Sequence, residues 1–205
     1  MLFGEKVRLR AIERDDIPRF VKWLNDPEVK QYLTMFWPLS YAEEERWFEK
    51  HLDDQTSRVF AIETEDGIHI GNIGLHNIDW KNRKATLGIF IGEKDYWNRG
   101  YGTDAVKTLL CFAFEELNLN RVQLSVFDFN TRAIRCYEKC GFEYTGDRWQ
   151  KDISLGDRLG LSIFTDERFR EVRKFFRQSR SGLEVLYCDM RITREQYHAR
   201  RESRA

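Results

Sequence analysis

The chain has 205 residues and carries 34 Lys and Arg against 34 Asp and Glu, for no formal net charge. That balance excludes a general nucleic-acid binder driven by phosphate neutralisation. No apolar run approaches the ~20 residues that span a bilayer, and Met1-Leu2-Phe3-Gly4-Glu5-Lys6 lacks an apolar signal core, so a cytoplasmic protein without membrane contact is expected.

With no linker, repeat or low-complexity tract, residues 1–205 are read as one domain. Val7, Leu9 and Ala11 alternate with Lys6, Arg8 and Arg10, which predicts a first strand with one face inward. Asp15-Asp16 cap a helix over 17–24, with Pro18 in its first turn and Asp26-Pro27 as the break. Ser40 with Glu43 has the pattern of a capping box opening a second helix that ends near residue 52. Residues 34–39 between these helices are apolar and aromatic without period, and read as a loop packed on the core or as one wall of a substrate pocket.

Residues 58–63 and 68–78 predict two strands joined at the hairpin signal Glu65-Asp66-Gly67. A third strand over 85–92 leads into Trp97-Asn98-Arg99-Gly100-Tyr101-Gly102-Thr103. Beyond it Ala105, Val106, Leu109, Leu110, Ala113, Phe114 and Leu117 recur at helical spacing. Residues 121–126 alternate as a strand, so strand, helix and strand together predict a parallel crossover. Asn130 as N-cap and Gly141 just past the end bound a short helix bearing Tyr137, and residues 142–151 return as a strand. Residues 154–182 read as an insertion with helical character over 166–177. Residues 182–192 form the last strand, and Thr193 with Gln196 caps a short terminal helix.

Small residues in a turn between strand and helix let backbone N–H groups approach an anion, which the helix N-terminus then favours. The turn lacks the Gly-Lys-Ser/Thr ending of a nucleotide P-loop, and Asp104-Ala105 stand where a dinucleotide fold needs a third glycine. Cys111, Cys136, Cys140 and Cys188 show no metal spacing, so reduced thiols and no metal are expected.

Residues 98–103, together with Asn130, Ala133, Tyr137, Gly141 and Phe142, resemble the two cofactor-binding segments of the GNAT superfamily of N-acetyltransferases. The last strand with Arg191-Ile192-Thr193-Arg194-Glu195 is similar to the branch of ribosomal-protein-alanine and spermidine N-acetyltransferases. The resemblance implies an α/β fold with a mixed, mostly antiparallel sheet of about seven strands, split near the cofactor and covered by helices on both faces. It implies acetyl-CoA as cosubstrate, with its diphosphate on the backbone of Asn98, Arg99, Gly100, Tyr101, Gly102 and Thr103. Asn130 would then hold the pantetheine arm, Ile89, Phe90 and Ile91 would line its channel and polarise the carbonyl, and Tyr137 would protonate the leaving thiolate. Trp97 stands where the family has Arg or Gln, and Arg99 offers a replacement charge.

The implied reaction is direct attack of a primary amine in a ternary complex, the acceptor being a protein N-terminus or a small amine such as a polyamine. Glu43-Glu44-Glu45 or Asp53-Asp54 are carboxylates a polyamine would use. Thr86 stands where family members often carry a Glu, which keeps a catalytically silent acyl-CoA sensor or assembly module as the alternative. Glu28, His76 and Asp79 are the nearest candidate bases, His51, His69 and His198 receive no role, and a homodimer suits the family.

Overall fold

The computed structural model describes residues 1–33, 37–151, 162–180 and 182–203. Strands β1 (Leu2–Phe3), β2 (Val7–Ala11), β3 (Arg58–Thr64), β4 (His69–Asp79) and β5 (Lys84–Ile91) pair in chain order, each antiparallel to the next. β5 pairs parallel with β6 (Arg121–Phe127), the crossover expected from the sequence. β9 (Gly182–Thr193) lies antiparallel between β6 and β7 (Glu143–Lys151), and β8 (Phe176–Ser179) pairs with its start. Among the described residues the sheet thus has nine strands, the additions being the short β1 and β8.

Helices α1 (Ile17–Asn25), α2 (Pro27–Lys30) and α3 (Tyr41–Asp53) lie between β2 and β3 in the chain. Phe20 and Trp23 of α1 and Phe48 of α3 pack with Ala61 of β3 as one buried cluster. The capping box at Ser40 and Glu43 is present, as its sequence pattern demands. A second cluster joins Ala105, Leu109 and Phe114 to Val122 and Met190, which places α4 (Tyr101–Cys111) on the sheet through its apolar stripe. α4 runs into a π turn, Phe112–Glu116, closed by the Leu117 N–H on the Phe112 carbonyl at 3.0 Å.

α5 (Thr131–Cys140), α6 (Ser162–Thr165) and α7 (Arg194–Glu202) complete the α-helices among the described residues. The helical character expected over 166–177 takes the form of two 3₁₀ turns, Glu167–Phe169 and Arg173–Phe175, with β8 following from Phe176. Phe169, Val172 and Phe175 recur every third residue, and their amides each donate three residues back, the spacing that stacks side chains in a 3₁₀ turn. They pack with Phe127, Ile163, Val185 and Tyr187, so the described part of the insertion buttresses the ends of β6 and β9. Of the segments read as an insertion and as an aromatic wall, residues 154–161, 181 and 34–36 lie outside the described residues.

Three attachments hold the frame around β5 and α4. A Cβ on Gly92 would sit 2.2 Å from the Trp23 ring, so only glycine lets the end of β5 lie against α1. The Trp23 indole N–H also donates to Glu93 at 2.8 Å. The Asp104 carboxylate accepts the backbone N–H groups of Glu5, Lys6 and Val7 at 3.2, 2.8 and 3.1 Å, which ties the N-terminal turn to the first turn of α4. His69, given no role from sequence, is buried and lies 3.0 Å from Asp16, which Arg10 grips through both terminal nitrogens at 2.6 and 2.8 Å.

Candidate active site

β5 and β6 pair only at Lys84–Arg121, Ala85–Val122 and Thr86–Gln123. From residue 87 onward β5 stays on β4 while β6 stays on β9, so the sheet parts along one line. Alternate backbone groups of a strand point to each side, so every second residue of 87–91 turns toward the gap an amide and a carbonyl that have no β6 partner. A cavity of about 810 Å³ opens there, lined by residues 87–91 of β5 and Ser125, Val126 and Phe127 of β6. That is the size of a small-molecule or cofactor site. Ile89, Phe90 and Ile91 therefore lie where the sequence places a cofactor channel.

The glycine turn forms one end of this cavity. Gly100 is the N-cap of α4 with φ +88°, a left-handed conformation that favours glycine. The first helical amide to find a carbonyl is that of Asp104, on Gly100 at 3.0 Å. The amides of Tyr101, Gly102 and Thr103 precede it without a helical acceptor, and no side chain caps them. Gly102 has no need of glycine in the protein's own packing, because a Cβ there would meet nothing closer than the Ile91 side chain at 3.9 Å. The space it leaves belongs to the cavity, which Asn98, Gly100, Gly102 and Thr103 all line.

Arg99 and Tyr101 turn their side chains elsewhere. Arg99 donates to the Asp95 carbonyl at 3.2 Å and lies over Tyr96, while Tyr101 meets the Tyr96 edge at 5.1 Å under Lys6. Trp97 folds back to donate its indole N–H to the Ile91 carbonyl at 2.8 Å. Its ring carries the Arg132 guanidinium at 4.0 Å, and Tyr32 approaches the same group at 5.1 Å. Arg132, Arg135 and Lys139 of α5 make this rim of the cavity cationic. None of the three was singled out from sequence, where they read as ordinary charges on a short helix.

α5 supplies the other side. Asn130 caps it by accepting from the Ala133 N–H at 3.2 Å, and Gly141 ends it with φ +100°. Both Asn130 and Tyr137 are 7% exposed and line the cavity. Burial pushes the Tyr137 phenol above its usual range, so the hydroxyl stays protonated. One residue back, the Cys136 sulfur accepts from the Thr103 hydroxyl at 3.3 Å, and contact with Cys140 brings its thiol down to about 7. The same contact drives Cys140 upward.

Residues 6–143 match the family described as Acetyltransferase (GNAT) domain. The chain belongs to this family. It is 34% identical over 145 residues to spermidine N(1)-acetyltransferase of Escherichia coli strain K12, covering 70% of this chain and 76% of that one. It is 28% identical over 177 residues to the spermidine N(1)-acetyltransferase of Vibrio cholerae, covering 84% and 93%. An N-acetyltransferase of Bacillus licheniformis, p20, shares 31% over 168 residues. The crystal structure of the Vibrio cholerae spermidine N-acetyltransferase with CoA and spermine superposes with a TM-score of 0.73 at 24% identity, over 93% of this chain and 97% of that one. The protein is a GNAT-type N-acetyltransferase.

The end of the acetyltransferase cavity away from the glycine turn has a different character. Glu44 of α3 is 5% exposed, and it is the one acid among the described lining residues. Burial pushes its carboxyl up to about 7. Its neighbours in sequence are committed elsewhere: Glu43 caps Ser40 at 2.9 Å and Glu45 pairs with Arg14 at 2.7 Å. Asp53 is exposed and Asp54 holds the Thr56 amide at 2.7 Å. Within the run of three glutamates, helical spacing singles out Glu44, which shares a face with Trp47, Phe48 and His51.

Among the bases expected from sequence, Glu28 meets Lys94 at 3.3 Å and Asp79 caps Asn82 at 2.9 Å. Only His76 of those three lines the cavity. His51 is buried, stacked on Trp47 at 5.2 Å, and accepts from the Val59 N–H at 3.2 Å. His198 lies on the surface 3.8 Å from Glu115.

Proposed function

We propose that this acetyltransferase moves an acetyl group from acetyl-CoA to the primary amine of a small molecule, both bound at once. The observation that carries the reading is the polarity of the cavity: an open helix N-terminus with Arg132, Arg135 and Lys139 at one end, and the buried Glu44 carboxyl at the other. Phosphates belong at the first end, since the amides of residues 101–103 and the helix dipole favour anions. The space beside Gly102 fits them, because no protein atom fills it. A cationic amine belongs at the second.

Acetyl-CoA supplies the acetyl group as a thioester. Residues 89–91 and Asn130 would hold the pantetheine arm in the gap between β5 and β6. Tyr137, kept as a phenol by burial, would give its proton to the departing sulfur. The relatives named for spermidine support a small-molecule acceptor over a protein N-terminus. Glu44 would draw the ammonium in, and Trp47, Val29 and Leu33 would enclose its apolar body. Four unpaired cysteines suit the cytoplasm, where we place the enzyme.

Calorimetry with CoA and thiol release from acetyl-CoA with spermidine, putrescine, phenethylamine and an alanine-ended peptide test the reading. Tight CoA binding with turnover on at least one small amine is expected. Binding without turnover on any of the four would favour the sensor instead. Cys136→Ser is expected to keep turnover, as direct transfer requires. A dead Cys136→Ser enzyme that still binds CoA would point to an acyl-cysteine route.

A further inference from the structure

We infer that His76 is the base that takes the proton from the acceptor ammonium, through Nε2, at the point where β5 leaves β6. This deepens the acyl transfer proposed above and rests on it. Four independent features of the structure converge on the imidazole.

His76 stands directly across from Thr86 in the β4–β5 register, and Thr86 is the last β5 residue paired with β6. The ring therefore lies beside the start of the gap. Two residues along, Gly74 and Gly88 face each other, and a Cβ on either would come within 3.2 or 3.1 Å of His76 Nε2. The imidazole thus lies over the Gly88 side of this pair, Gly74 being covered as well by the Arg58 carbonyl and Val59, and the ring and both glycines line the cavity. The other nitrogen is held, since Nδ1 lies 2.9 Å from the Ser57 hydroxyl. With Nδ1–H donated to that oxygen, the lone pair remains on Nε2.

The backbone also aims the side chain. β4 bulges between His76 and Asp79, and Asn77 takes φ +50°, a left-handed conformation that asparagine tolerates. His76 and Trp47 border both the main cavity and a side cavity of about 250 Å³ that contains His51, Asp54 and Ser57. β5 itself contributes Thr86, Gly88 and Phe90 on this face, and its one ionisable group there, Lys84, pairs with Asp79 at 3.8 Å. The titratable groups nearest the ring are His51, Asp54 and Lys50 of the α3 end, with Glu44 further along that helix. Burial, aided by His51, holds the imidazole below its usual value, so it is neutral and free to accept.

An acceptor ammonium loses two protons on becoming an amide. One goes to His76 Nε2 before the C–N bond forms, and one goes to water as it forms. The sulfur released when the C–S bond breaks takes its proton from Tyr137. His76 then returns its proton through solvent to the phenolate, so one proton leaves per turnover. Glu44, which lacks an orienting partner among the described residues, acts in this scheme as the charge that holds the amine.

The test compares wild type with His76→Gln and Glu44→Gln, using acetyl-CoA and the best of spermidine, putrescine and phenethylamine, from about pH 6 to about pH 9. His76→Gln is expected to bind CoA normally and to lose roughly 10²–10³-fold in kcat/KM for the amine near neutrality. The deficit should narrow as pH climbs toward the amine's own value near ~10.4, because free amine needs no base. Ser57→Ala should give a smaller loss with the same pH shape. A deficit below about threefold at neutrality, or one equal at every pH, would overturn the assignment. So would a Glu44→Gln enzyme that loses the acid limb of the profile while His76→Gln keeps it. An independent readout is the NMR signal of the His76 ring, identified by its absence from His76→Gln. It should titrate below the usual histidine range and move when the amine is added, and a signal the amine leaves unmoved would also overturn the proposal. If wild type acetylates none of the three amines, the acyl-transfer reading fails, and the ring signal still decides whether His76 meets the amine.

Discussion

Burial sets the charge of individual side chains in this cavity, and it does so in opposite functional directions at Tyr137 and Glu44. For Tyr137 the loss of water keeps the proton that the proposed transfer gives to the departing sulfur. Tyr137→Phe is expected to lower kcat about 10²-fold while leaving CoA affinity unchanged, measured by steady-state kinetics and calorimetry. Because the phenol sits above its ordinary range, wild-type activity should show no tyrosine inflection near ~10. For Glu44 the same loss of water disfavours the charge that an ammonium needs. A carboxyl raised in the folded state holds its proton longer than in the unfolded chain, so its cost to stability appears as pH rises from about 4.5 through about 7. Glu44→Gln should therefore melt at the same temperature as wild type in acid and at a higher one near pH ~8, by up to about 3 kcal/mol of stability. The same variant should raise KM for the amine roughly tenfold or more at that pH, where the wild-type carboxylate is ionised.

Among the elements, the start of α4 combines rigidity with an unmet need. Asp104 fastens it to the N-terminal turn, yet its first amides have no partner among the described residues. Gly102→Val is expected to weaken CoA binding at least about 100-fold with little change in melting temperature, since the added atoms enter the cavity and not the core. Gly92→Ala should do the reverse, costing about 2 kcal/mol or more through collision with Trp23. At the other side of the sheet, burial pushes the Asp16 carboxyl up, but Arg10 and His69 more than reverse this and hold it below the usual range. A depressed carboxylate stabilises above its unfolded value and loses that contribution as pH falls past it. Asp16→Asn should thus cost about 3 kcal/mol near neutrality. The gap between variant and wild type, followed by urea denaturation, should shrink as pH drops below about 4.

Most of these elements were legible because their signals are local. Ser40 with Glu43, Asn130 with Gly141 and the alternation of Val7 and Leu9 each specify backbone geometry within a few residues. The helical character read over 166–177 is realised as 3₁₀ turns, because Phe169, Val172 and Phe175 repeat at three residues and not at the 3.6 of an α-helix. His69 looked idle because Asp16 lies 53 positions away in sequence, and no local pattern announces such a partner.

At the scale of the whole molecule, the proposed function draws on residues distant along the chain and folded around one gap. α3 brings Glu44, β4 brings His76, the turn before α4 brings the open amides and α5 brings Tyr137. The amides and the tyrosine carry a family pattern and could be read in advance. The acid and the imidazole could not be ranked in advance, because their surroundings depend on how α3 crosses the sheet and on which strand faces which.

The short β5–β6 ladder has one further consequence. A sheet that stops pairing part-way acquires two strand edges inside its own outline, and such edges are templates for any extended chain that can reach them. Deuterium uptake should then be uneven within a single strand: slow at residues 84–86 and alternating over residues 87–91 in the free protein, where amides paired with β4 stay slow and those turned to the gap exchange fast, with CoA protecting only the latter. The ligand would in that sense finish the architecture, and a cell depleted of CoA would hold this enzyme in its form most open to proteases and to self-association.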